Sequence, residues 1–118
     1  MSIVWNNLLD QAVRLGDVRA AAVLAPNRQV LSRSQSAELT EAALAAVWRH
    51  LADAADVSAH HRLPPQQMRW IFERVLVYCL RRADGLMLGL IVGREPDGRF
   101  NAAAAEQVFE EFRKLRDG

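Results

Sequence analysis

Met68-Arg69-Trp70-Ile71-Phe72-Glu73-Arg74-Val75-Leu76-Val77-Tyr78-Cys79-Leu80 is the stretch whose reading decides the fold, because it fits two secondary structures. With a helical period, Met68, Ile71, Phe72, Val75, Leu76 and Cys79 fall at i, i+3, i+4, i+7, i+8 and i+11, on one face. With a strand period, Met68, Trp70 and Phe72 alternate against Arg69, Ile71 and Glu73, and residues 75–80 are rich in β-branched and aromatic types. Periodicity does not choose between them. Composition favours two strands reversing near Glu73-Arg74, although those two residues are poor turn formers.

Downstream, Arg81-Arg82-Ala83-Asp84-Gly85 ends in the Asp-Gly pair that favours hairpins, and Leu86 to Val92 is a continuous apolar run of strand length. Gly89 inside that run marks a close backbone approach or a bulge. Residues 95–99 read as loop, and Asn101 can cap a last helix with apolar positions Ala105, Val108, Phe109, Phe112 and Leu115. Upstream, Ser58 to Pro65 reads as a loop containing His60, His61, Arg62 and the Pro64-Pro65 pair. Before it, Ser34 and Ser36 offer N-cap hydroxyls to a helix from Ala37 to Val57, with Leu39, Ala43, Leu44, Val47, Leu51, Ala54 and Ala55 on one broad face. Trp48 lies at the edge of that face next to Ala45 and Ala52. It either closes the edge of the core or belongs to a second packing surface of small residues. Earlier still, Val18–Leu24 and Gln29–Arg33 read as a hairpin turning at Pro26-Asn27, with small Ala20, Ala21 and Ala22 letting a helix lie close. Trp5, Leu8, Leu9, Ala12 and Val13 form the stripe of a first helix stopped by Gly16.

The chain has 118 residues, formal net charge +1, 51% hydrophobic and 25% charged residues. Those values fit one globular domain over residues 1–118 and exclude a disordered chain. Cys79 is the single cysteine, which excludes a disulfide framework. No apolar run reaches the ~18 residues of a membrane span, and Met1 to Asn7 lacks the cationic start of a secretory signal, so a cytoplasmic protein is expected.

Chemistry is sparse. His60 and His61 adjoin, but a metal site needs three or four converging ligands, and none is expected. No phosphate-cradling glycine pattern and no nucleophile elbow occurs. Catalytic residues, cofactors and enzymatic activity are therefore not expected. Arg62, Arg69, Arg74, Arg81 and Arg82 against Glu73, with Trp70, Phe72 and Tyr78 interleaved, give the one regional basic bias. A near-neutral chain argues against nucleic acid and leaves a solvated edge or an acidic protein patch as its counterpart.

The order of helix, hairpin, long helix, three strands and helix resembles the Roadblock/LC7 family. Three places carry the likeness. Leu8 to Val13 leads into Val18 to Leu24 as the family's short helix feeds its first hairpin; Ser34 to Val57 stands where its long central helix does; Met68 to Val92 resembles its three antiparallel strands. The resemblance spans residues 4 to 116 and rests on order and length, not on a signature motif. It implies a profilin-like α/β/α sandwich with a five-stranded antiparallel sheet, one short N-terminal helix, one long central helix and a C-terminal helix. It also implies strands for 68–80. Family members are non-enzymatic regulators that dimerise and serve as platforms for Ras-like small GTPases, including bacterial polarity and gliding GTPases. Such a dimer would pair the strand at Met68 to Glu73 with its copy and bury Ala45, Trp48 and Ala52, with Arg69 and Trp70 at the paired edge. The alternative is a profilin-like sensory domain with a small ligand between sheet and helix, marked by a cavity beside Gly89. Neither nucleic acid nor membrane is expected as a partner.

Overall fold

The decisive stretch forms strands. The computed structural model describes residues 3–27, 29–34, 40–61, 67–71, 75–93 and 102–116. Along the chain these build α1 (Ile3–Val13), β1 (Val18–Leu24), β2 (Val30–Ser34), α2 (Glu41–His60), β3 (Gln67–Ile71), β4 (Val75–Arg81), β5 (Met87–Gly93) and α3 (Ala102–Lys114). β3 and β4 pair antiparallel with Met68 opposite Cys79 and Trp70 opposite Val77. The reversal expected at Glu73-Arg74 lies outside the described residues, as do Asn101 and the loop at 95–99.

All five strands form one sheet in the order β2-β1-β5-β4-β3, with every pairing antiparallel. β5 lies at its centre and is buried at every residue, as its unbroken apolar run requires. Alternation along β5 divides two cores. Leu88, Leu90 and Val92 join Trp5, Leu8, Leu9, Phe109 and Phe112 beneath α1 and α3. Met87 and Ile91 join Ala20, Ala22, Leu44, Trp48, Leu51, Val77 and Cys79 beneath α2.

The expectation of a sandwich five strands wide needs correcting. Five strands are hydrogen-bonded, but no described side chain of the edge strands β2 and β3 is buried; the buried side chains of the sheet come from β1, β4 and β5. The reason is width. A helix is about 10 Å across, the span of three strands about 4.8 Å apart, so α2 covers β1, β5 and β4 and leaves Val30 and Ser32 of β2 exposed beyond it.

Two boundaries also differ from the sequence reading. α2 starts at Glu41, not Ala37, because Thr40 is its cap: Thr40 Oγ1 accepts the Ala43 N–H at 3.1 Å. Ser34 instead ends β2, and Ser36 lies outside the described residues. At its other end α2 continues through Ser58-Ala59-His60, which the sequence reads as loop. None of those three residues breaks a helix as Pro64-Pro65 does.

The turns follow their local chemistry. Gly85 has φ +89°, a conformation that L side chains resist, and Asp84 Oδ1 accepts the Leu86 N–H at 3.2 Å beside it. Asn27 Oδ1 accepts the Gln29 N–H at 3.1 Å in the first hairpin. No described helix is long and apolar enough to cross a membrane.

Candidate functional site

Along one flank of α2 runs a groove of about 430 Å³, lined by Leu44, Ala45, Trp48, Arg49 and Ala52 of the helix and by Val30 and Ser32 of β2. Three of the five expected interface residues therefore share one place. They sit there because positions 45, 49 and 52 fall on the helix flank turned toward β2. Trp48 itself is core. Only 3% of it is exposed, and a Cβ added to Gly89 would lie 2.9 Å from both Trp48 Cζ3 and Leu51 Cδ1. The missing side chain of Gly89 is the space these two residues occupy. A ligand cavity at that point, the mark of the sensory alternative, is thereby filled. The Cζ3 edge of the indole faces the sheet, so Nε1 lies on the edge turned away from Gly89; it is buried without a hydrogen-bond partner. An orphan donor of this kind costs about 1–3 kcal/mol.

The remaining two candidates lie elsewhere. Arg69 is exposed on β3, and Trp70 stands opposite Val77 in the register, its side chain outside the described residues. β2 and β3 are the two edges of the sheet, separated by three strands and about 19 Å. One symmetric contact along β3 thus does not reach Ala45 and Ala52 on the β2 side. Beside Arg69 on the same strand face is Ile71, 57% exposed, which the sequence reading passed over. Its signal was present: Ile71 alternates in phase with Arg69 and Glu73, an apolar residue in the polar phase of an edge strand.

Among the described residues the basic bias does not become a basic face. Arg81 and Arg82 are both buried, and neighbouring strand positions point to opposite faces. Arg82 donates from Nη1 to the carbonyl of Phe112 in the last turn of α3 at 2.8 Å and to that of Leu115 just beyond it at 2.7 Å, and pairs with Asp84. Its guanidinium also lies 5.0 Å from the Phe112 ring centroid and 5.5 Å from that of Trp5. Arg82 is thus a clamp between the β4–β5 turn and α3. Arg62 and Arg74 lie outside the described residues.

Asp84 carries the pH dependence of this clamp. Partial burial alone would raise its carboxyl pKa; hydrogen bonds from Arg82 and the Leu86 N–H, with the charges of Arg82 and Arg116, outweigh that and hold it lowered. A lowered pKa means stability that is fully present above the ordinary carboxylate range, about pH 4, and is lost as pH falls through the folded value. Asp84→Asn is therefore expected to flatten the acid limb of the unfolding midpoint below about pH 4. An unchanged acid limb in urea titrations would remove Asp84 from that role.

No family model and no curated protein matches the sequence. Solved structures do. MglC from Myxococcus xanthus is 18% identical, with a TM-score of 0.61 over 92% of each chain. The gliding protein MglB from Thermus thermophilus is 12% identical, with a TM-score of 0.71 over 97% of this chain and 88% of that one. A Roadblock/LC7 domain from Streptomyces avermitilis is 16% identical, with a TM-score of 0.55 over 96% and 94%. The order of elements read from the sequence, the sheet observed and these three structures agree: the chain has the Roadblock/LC7 fold.

Proposed function

We propose that residues 1–118 are one Roadblock/LC7 regulatory domain, non-enzymatic and cytoplasmic, which dimerises and binds a protein partner. A Ras-like small GTPase is the partner that the family resemblance implies, and the similarity to a gliding protein supports a bacterial regulator of that kind. The observation that carries the dimer is the open edge of β3. It is the last strand of the sheet, it has no neighbour beyond β4 among the described residues, and it presents Ile71 to solvent. An edge of this kind templates pairing with another chain. Two copies joined about a twofold axis would continue the sheet across the contact and cover Ile71 on both.

Sedimentation velocity across micromolar concentrations tests this. A dimer is expected, and Ile71→Glu is expected to weaken it at least about tenfold, since each copy then buries a charge where an isoleucine had been. A monomer throughout that range overturns the dimer. For the partner, affinity capture from the native cytoplasm is expected to enrich a nucleotide-binding protein.

A further inference from the structure

The groove between α2 and β2 lies three strands away from β3, so pairing of two β3 edges leaves it uncovered. Three of its features call for an extended chain. The first is main-chain geometry. Ala25 N–H donates to the Gln29 carbonyl at 2.9 Å, and antiparallel alternation from that pair turns the N–H groups of Val30 and Ser32 toward the open edge. The Ser32 carbonyl receives Arg33 Nη1 at 3.0 Å and retains a second lone pair.

The second is side-chain spacing. Val30 and Ser32 stand opposite Leu24 and Ala22, which belong to the α2-side core, so both point to that face. Both are exposed, and their two-residue spacing matches the alternate side chains of an added strand. Arg33, on the other face, is held to Asn6 and Asp10 of α1, which steadies the strand from behind.

The third is electrostatic. Arg49 is exposed on the groove wall, and among the described residues the lining contains no carboxylate and Arg49 makes no ion pair. Trp48, which also lines the groove, carries the orphaned buried donor Nε1.

We propose that this groove binds an extended acidic peptide segment of a partner protein, added to β2 as a further strand. Its alternate apolar side chains lie between Val30 and Leu44, its carboxylates pair with Arg49, and one of its acceptors satisfies the Trp48 indole. This site is independent of the β3 contact.

The probe is a fluorescently labelled octapeptide of alternating valine and glutamate, followed by anisotropy with the whole chain. Saturable binding is expected. A valine–lysine counterpart and a version N-methylated at alternate residues are each expected to bind at least tenfold more weakly. Arg49→Glu, a substitution of an exposed residue, is expected to cost at least tenfold. In ¹⁵N–¹H spectra the Trp48 indole resonance is expected to move while that of buried Trp5 stays. Ile71→Glu is expected to leave peptide affinity unchanged, which separates this result from failure of the dimer. Equal binding of the lysine peptide, no loss on Arg49→Glu, or no binding at millimolar peptide overturns the proposal. So does self-association that Val30→Glu abolishes, since the occupant would then be a second copy.

Discussion

Replacing Arg82 with alanine is expected to lower the unfolding free energy by about 2–4 kcal/mol, or roughly 10 °C in Tm for a domain of this size. Three losses combine. The carbonyls of Phe112 and Leu115 lose their shared donor at the end of α3, where a helix has no partners of its own to offer them. A cation leaves the negative end of the helix dipole. The rings of Trp5 and Phe112 lose the guanidinium that lies over them, and only 7% of Arg82 is exposed, so water does not readily replace it. Arg82→Lys keeps the charge but cannot reach two carbonyls and Asp84 with one planar fork, and is expected to recover less than half of the loss. Urea unfolding with an unchanged m-value is the measurement. A loss below about 0.5 kcal/mol, the range of an ordinary surface substitution, would mean that Arg82 does not hold α3 to the turn.

Trp48→Ala is expected to cost more, about 3–5 kcal/mol, because among the described residues it empties the largest side chain between α2 and the sheet. The sharper test is its coupling with Gly89. In the native protein Gly89→Ala puts a methyl 2.9 Å from Trp48 Cζ3 and Leu51 Cδ1, and overpacking of this kind costs about 1–3 kcal/mol. Once Trp48 is alanine the Leu51 methyl can move into the emptied space, and the same substitution is expected to be close to neutral. Additive penalties in the double-mutant cycle would show that the ring and the glycine do not share one space.

What could be read in advance was what is local. The stripe of α3, the Asp84-Gly85 reversal and the β-favouring composition of Val75 to Leu80 depend on neighbours a few residues apart, and all stand in the structure, where the strand runs one residue further, to Arg81. The start of α2 was not legible because Ser34, Ser36 and Thr40 are all competent caps; the length of β2 chooses among them. Trp48 read as an edge residue because a helical wheel cannot show that the facing strand has a glycine at position 89. Arg81 and Arg82 read as surface charge because the carbonyls that receive Arg82 lie thirty residues later. The grouping of Ala45, Trp48 and Ala52 was legible from helical spacing. Their separation from Arg69 and Trp70 was not, since β2 and β3 are successive strands in the chain yet opposite edges of the sheet.

That strand order also has a kinetic meaning. The β1–β2 hairpin and the β3–β4–β5 meander each close through short connections, and β1 and β5 alone join them. Ala21 and Leu90 pair across about seventy positions of chain, a non-local closure of the kind that slows folding. During synthesis the first half of the molecule therefore waits, with β1 unpaired on one side and Trp48 without its glycine, until the last strand arrives. The central pairing is where the two halves commit to one another, and substitutions there are expected to slow folding more than they hasten unfolding.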